Sequence, residues 1–373
     1  MELSYWERKT WLNNIDYAVI GSGIVGLSCA LSLRERFPKS KIVVFEKGML
    51  PSGASTKNAG FACFGSLSEI LDDLDSHSEE EVIQLVKNRV DGLKLLRKTL
   101  GDAQLDYQEN GGYELFSLKD KMLFDECYYK MTYTNELLSS VFNSEVFTVK
   151  ENDFSFQNIH PKLIFNKFEG QIDTGKMMLG LLRKASTENI LILNSVEITN
   201  ITETNVGVAL EINRTEELSV KKVYIATNGF AKQFLKEDVT PARAQVLVTK
   251  PIKNLKIKGT FHLDKGYYYF RNIEDRILFG GGRNLDFGTE KTTQMGLTEL
   301  IQNKLEEILS TTILSNTPFE VDTRWSGIMG VGKQKKPIVK RISKNVFCGV
   351  RLGGMGVAIG SSIGAQLANL TIE

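Results

Sequence analysis

The sequence of 373 residues predicts an α/β fold in two units, one wound round a parallel sheet and one an α+β unit on an antiparallel sheet. Three observations predict it. The chain is longer than a single hydrophobic core usually serves. A strand, a glycine-rich turn, a helix and a second strand follow one another near its N-terminus. Short alternating segments later in the chain, divided by turn residues, have the character of antiparallel strands.

The first strand is Asp16-Tyr17-Ala18-Val19-Ile20, a short apolar run of the kind buried in a parallel sheet. It leads into Gly21-Ser22-Gly23-Ile24-Val25-Gly26. Leu27, Ala30, Leu31 and Leu33 then keep helical spacing to Arg36, and Pro38 ends the pattern. Residues 41–45 form the second strand, with Glu46 at its end. In such a Rossmann-like unit Gly21 permits the tight turn, Gly23 lets backbone approach a pyrophosphate, and Gly26 lets helix and strand pack closely. The helix start offers free N–H groups and positive dipole character to the phosphates. Glu46 can accept from both ribose hydroxyls, which disfavours a 2′-phosphate and so favours FAD or NAD over NADP. Spacing alone does not separate those two.

Composition narrows the partners. Lys plus Arg number 46 against 45 Asp plus Glu, which removes the basic field that non-specific nucleic-acid binding exploits. Cys29, Cys63, Cys127 and Cys348 lie far apart without a C-x-x-C pair, so neither a metal cluster nor a disulfide framework is expected, and a reducing compartment fits. Residues 1–14 do not read as a signal peptide, and no apolar run is long enough to span a bilayer. A cytoplasmic chain without membrane or nucleic-acid partners is the expectation.

Gly53-Ala54-Ser55-Thr56-Lys57-Asn58-Ala59-Gly60 resembles the G-A-S-x-x-N-x-G segment that follows the acid in the D-amino-acid oxidase superfamily, also called the glycine oxidase or sarcosine oxidase family. The similarity is closest to amine-oxidising members of the glutamylputrescine oxidase type. The resemblance implies a glutathione-reductase-type FAD domain and non-covalent FAD. It further implies contacts to FAD from Ser22, Ile24, Lys47, Ala54, Ser55, Lys57, Asn58, Ala59 and Gly60. Val196 corresponds to the place where the family meets the adenine through its backbone, and Thr227-Asn228-Gly229 to a turn beneath the cofactor. Arg324-Trp325-Ser326-Gly327 is similar to the family's R-x-W-x-G stretch. Gly353-Gly354-Met355-Gly356 resembles the last motif, a glycine turn whose N–H groups face the flavin ring, followed by a closing helix over residues 363–370. No cysteine falls in the segment where sarcosine oxidases attach the flavin.

The cofactor domain is then expected to be discontinuous, over residues 1–75, 165–235 and 323–373, with residues 76–164 and 236–322 forming the substrate domain. Ser78-x-x-Glu81 is a capping box that opens a helix closed by Gly101. Residues 113–117, 245–249, 267–271 and 276–280 read as strands roofing the flavin.

The family's implied chemistry is hydride transfer from the carbon next to nitrogen of a small amine or amino acid to the flavin, which requires no catalytic histidine. His77, His160 and His262 stand beside no motif and read as structural. In Tyr267-Tyr268-Tyr269-Phe270-Arg271, alternation puts Tyr267, Tyr269 and Arg271 on one face. Tyr269 is expected to line the substrate cavity, and Arg271 and Arg283 are candidates for an anionic substrate group. Two departures limit the reading. Where several amino-acid-oxidising relatives carry a carboxylate-binding arginine, this chain has Lys333, Lys335 and Lys336. Leu278 stands where sarcosine oxidases place a lysine that promotes reaction with oxygen, so the electron acceptor is left open between oxygen and another carrier. Oxidation of a 2-hydroxy acid, which needs a base for the hydroxyl proton, and a flavin-binding module without turnover are the alternatives. Oligomeric state is not legible.

Overall fold

In the computed structural model, which describes residues 3–372, the first sheet runs in the order Ile338–Arg341, Val346–Val350, Glu216–Ile225, Ile15–Ile20, Ile42–Phe45 and Leu191–Leu193. All neighbours pair in parallel except the first two, which are antiparallel. The middle strands are apolar at nearly every position because both faces are covered. Val19, Val44, Tyr224 and Phe347 pack under the helices Ile24–Arg36, Thr174–Thr187 and Gly356–Asn369. Ala18, Val43, Phe45 and Ile225 face the other way, against the antiparallel meander Ile198–Thr204 and Gly207–Ile212. The closing helix begins at Gly356 rather than at residue 363, since Val357, Ala358 and Ile359 bury against the same core.

The second sheet has the order Val321–Val331, Thr240–Thr249, Arg276–Gly281, Tyr268–Ile273, Thr260–Leu263, Gly112–Leu115, Lys162–Asn166 and Phe147–Glu151. Only Thr260–Leu263 with Gly112–Leu115 is a parallel pairing. Val321–Val331 falls within the residues assigned by sequence to the cofactor domain, yet it pairs along its length with Thr240–Thr249. The register sets the chemistry of each face. Leu247, Phe279, Phe270 and Phe261 form one transverse row, with Phe261 and Phe270 stacked at 4.5 Å, and bury under the helix Glu299–Ile308. The neighbouring row is Val246, Gly280, Tyr269, His262 and Glu114. A shift of one residue turns a row to the opposite face, so this polar row looks toward the parallel unit.

The capping box forms as expected: Ser78 and Glu81 cap the helix Glu79–Leu100, and Gly101 ends it with φ +82°.

Candidate active site

The parallel ladders end together, with Phe45, Ile20, Ile225 and Cys348 as the last partners across four strands. The segments that follow therefore leave the sheet side by side. This edge is where open α/β sheets bind ligands. Gly26 is indispensable to the turn: a Cβ there would lie 1.8 Å from the Gly21 carbonyl oxygen. The helix Ile24–Arg36 starts from Gly23 without a side-chain cap of its own, and Ser55 Oγ accepts the Ile24 N–H at 3.0 Å.

Glu46 stands at the rim of this cleft, and its carboxylate accepts from Ser22 N (3.1 Å), Ser22 Oγ (2.8 Å), Gly48 N (2.9 Å) and Ser52 Oγ (3.1 Å). Four donors fill the roughly four acceptor positions of a carboxylate. Glu46 thus also ties two turns together, a duty the ribose reading did not include. Val196 lines the same cleft, but its N–H donates to the Glu46 carbonyl at 2.9 Å instead of standing free for an adenine. Lys47 Nζ sits 3.9 Å from the centre of the Phe230 ring. Thr227 Oγ1 is buried there with no hydrogen-bond partner among the described residues.

The loop after Pro51 is held by its own amide. Asn58 Nδ2 donates to the Ser55 carbonyl at 2.8 Å, and Asn58 Oδ1 accepts from Gly60 N at 2.8 Å and Thr174 Oγ1 at 2.9 Å. Trp325 Nε1 donates to the Lys57 carbonyl at 3.0 Å. Across the cleft, Asn228 Oδ1 accepts from Arg351 N (3.0 Å) and Leu352 N (3.2 Å), which fixes the approach to Gly353. Gly353 and Gly354 border open space, and the helix Gly356–Asn369 starts just behind them.

These pieces border a cavity of about 210 Å³ lined on one side by Gly23, Ile24, residues 54, 55 and 57–60, Asn228, Gly327 and residues 353–357. Its other wall holds Phe61, Cys63, Glu69, Ala244, Val246, His262, Gly266 and Tyr269. Gly23, Ala54, Ser55 and Asn228 also line the Glu46 cleft, so the two spaces adjoin. Gly229 lines neither; it packs on the Met329 carbonyl, which a Cβ would approach to 2.5 Å.

Of the expected substrate residues, Tyr269 lines the cavity. Its ring meets Phe61 edge-on at 5.6 Å, and burial pushes its phenol up to about 12. Arg271 is a correction. Although on the same face, its Nη2 donates to the Ile172 carbonyl (2.9 Å), its Nη1 to that of Asn272 (3.2 Å) and its Nε to that of Ala59. The guanidinium clamps the loop to the roof, and Arg271 is not among the residues that line the cavity. Arg283 is partly buried, 4.8 Å from the Phe287 ring and outside the cavity lining. Lys333 is exposed, and Lys335 pairs with Asp72 and Asp73.

His262 is buried and hydrogen-bonded, and it also reaches the site. It lines the cavity, with Nε2 at 2.9 Å from Glu169 Oε2, and meets Phe61 at 5.4 Å. Burial pulls its pKa down, but the charge and hydrogen bond of Glu169, with Glu69 and Glu114 beyond, outweigh this and raise it to about 9. Next to it, Glu114 accepts from Ser66 Oγ (3.0 Å), Ser68 N (3.1 Å) and Ser68 Oγ, and burial pushes its carboxyl up. Sequence reasoning missed Glu69, Glu114, Glu169 and His262. The usable signal was the alternation of Thr260-Phe261-His262-Leu263, which sets His262 opposite two buried apolar neighbours.

A family model described as FAD dependent oxidoreductase matches residues 16–370. A probable oxidoreductase OrdL from Haemophilus influenzae is 19% identical over 372 residues, spanning 96% of this chain and 83% of that protein. Among solved structures, glycine oxidase from Geobacillus kaustophilus superposes with a TM-score of 0.76 at 16% identity, covering 96% of this chain and 95% of its own. L-proline dehydrogenase from P. horikoshii gives 0.74 at 17% identity, with 96% and 93% covered. At these identities the structures establish a common fold.

Proposed function

The chain belongs to the DAO family of FAD dependent oxidoreductases, and we propose that it oxidises a small amine or amino acid at the carbon next to nitrogen. The residues present fit FAD. The unpartnered Thr227 Oγ1, the open space over Gly353 and Gly354, and two helix starts aimed at one cavity are what a flat, diphosphate-bearing ligand needs. Gly21, Gly23 and Ser55 would hold the pyrophosphate, Glu46 and Val196 would border the adenosine, and Ala54, Lys57 to Gly60, Gly327 and Gly353 to Gly356 would hold the ring. Cys63 is the cysteine in the cavity wall, and burial pushes its thiol far up, which keeps it protonated and supports non-covalent attachment.

FAD, when bound, supplies a two-electron acceptor able to take hydride from a C–H bond next to nitrogen. The chain's own residues do the rest. Gly280 lies between Tyr269 and Val246 in the polar row, and a Cβ there would meet Val246 at 2.4 Å and Tyr269 at 2.8 Å, so this position keeps the roof close over the cavity. Phe61, Ala244, Val246 and Tyr269 exclude water and orient the substrate. The single observation that carries the reading is this cavity: backbone N–H groups and glycines on one side, an aromatic and carboxylate-bearing wall on the other.

A 2-hydroxy acid needs a base for its hydroxyl proton, and His262 is a histidine in the cavity wall. Its proton, however, is held by Glu169, so it is a poor base near neutral pH and the amine reading keeps its advantage. Anaerobic mixing of the yellow protein with amines, D- and L-amino acids and 2-hydroxy acids tests this. Bleaching by an amine or amino acid is expected; bleaching by hydroxy acids alone would replace the reading. Re-oxidation on admitting air then separates oxygen from another acceptor.

A further inference from the structure

Most guanidinium and ammonium groups near the substrate wall are committed elsewhere; Lys57, on the opposite side of the cavity, and Arg283, outside its lining, are the exceptions. Arg243 gives two hydrogen bonds of 2.8 and 2.7 Å to Glu290, on the face opposite the cavity. Arg271 is spent on backbone carbonyls. Arg351 donates to the Lys336 carbonyl and to Asp238. Arg89 donates to the Phe64 carbonyl and lies 3.9 Å from Asp73. Lys265 and Lys335 pair with Asp72. The imidazolium of His262 has its own counter-ion in Glu169.

Glu69 is in the opposite condition. It stands at the third position of the helix Leu67–Leu74, lines the cavity, and packs beside Gly266, where a Cβ would lie 2.8 Å from its carboxyl carbon. Oε2 accepts from Ser66 N at 2.9 Å, while among the described residues Oε1 accepts no hydrogen bond and neither oxygen takes part in an ion pair. An α-carboxylate brought to this wall meets a like charge that has no ion-pair partner among the described residues. An ammonium group meets an acceptor for a charge-assisted hydrogen bond.

We propose that Glu69 determines specificity by binding the distal ammonium of a dicationic amine, so that diamine-type substrates are taken in preference to α-amino acids. This rests on the amine reading above and names its substrate class. Two features agree with it. Lys333 stands at the surface, away from the cavity. The buried Glu114 behind the wall is satisfied by serine donors and adds no cation.

The test uses the FAD-loaded enzyme and two readouts. In the first, the bis-trimethylammonium derivative of butane and butyltrimethylammonium are titrated while the flavin spectrum is followed; quaternary amines have no lone pair and cannot be oxidised. The dication is expected to bind about tenfold tighter or more through charge attraction to the partly desolvated carboxylate alone, since a quaternary ammonium has no N–H to donate. Glu69→Gln, which keeps the capping bond to Ser66, is expected to bring that ratio close to one. In the second, anaerobic flavin reduction by N-methyldiaminobutane is compared with N-methylbutylamine and sarcosine. A ratio near one in the wild type, a ratio that survives in E69Q, or sarcosine as the best reductant overturns the assignment. If the dication binds through Glu69 but no amine reduces the flavin, the amine reading falls and the cation site stands.

Discussion

His262 Nε2 and Glu169 Oε2 lie 2.9 Å apart, both buried, at the edge of the cavity, joined there by Thr260 Oγ1, which donates to the same oxygen at 2.9 Å. The folded-state pKa of His262 is raised to about 9 from an ordinary 6.5, so its contribution to stability is complete below about 6.5 and is lost as pH rises through about 9. Glu114, whose carboxyl burial also raises, acts in the same direction at lower pH. The thermal midpoint of wild type is expected to fall across pH 6.5 to 9 by an amount equivalent to roughly 2–3 kcal/mol. His262→Gln flattens that fall. An unchanged slope in the variant removes the pair from the account.

Replacing Glu169 by Gln leaves the imidazole without its counter-ion, and breaking a buried pair from one side costs about 3–5 kcal/mol. E169Q is expected to lower the denaturation midpoint in urea and to bring the His262 imidazole NMR titration below neutral pH. A titration still centred near 9 contradicts the assignment.

Arg271 holds the Ala59 and Ile172 carbonyls from the roof. Arg271→Met leaves these buried acceptors unpaired, at about 1–3 kcal/mol each. R271M is expected to lose FAD on gel filtration and to melt earlier. Full FAD retention with only the affinity for anionic substrates reduced would restore the substrate role that alternation first suggested.

Tyr269→Phe removes one hydroxyl from the cavity wall and keeps the ring contact with Phe61. Flavin content should be unchanged and the limiting rate of anaerobic reduction should fall about tenfold, as loss of a positioned polar group does. An unaltered rate assigns the phenol to packing.

The legible and illegible parts of the site differ in range. Gly21 to Gly26 and Glu46 were readable because a turn, a helix start and a following strand are local, and each residue type is required by backbone geometry at its own position. Asn58 and the Gly353 turn were readable by resemblance for the same reason. The role of Arg271 was not, since alternation places its Cα on the cavity face while its guanidinium is captured by carbonyls of two distant loops. His262 finds its partner Glu169 only through the pairing of Thr260–Leu263 beside Gly112–Leu115, and nothing next to either residue in the chain marks it. Glu69 looks like an ordinary capping-box acid until Gly266 brings the roof against it.

The cofactor and catalytic roles assigned above depend on distant backbone segments meeting round one flavin nucleotide. The purified protein, precipitated with acid, is expected to release one FAD per chain into the supernatant and leave a colourless pellet. A preparation that is colourless from the start and takes up no FAD on reconstitution, or a pellet that keeps its yellow colour, contradicts the account.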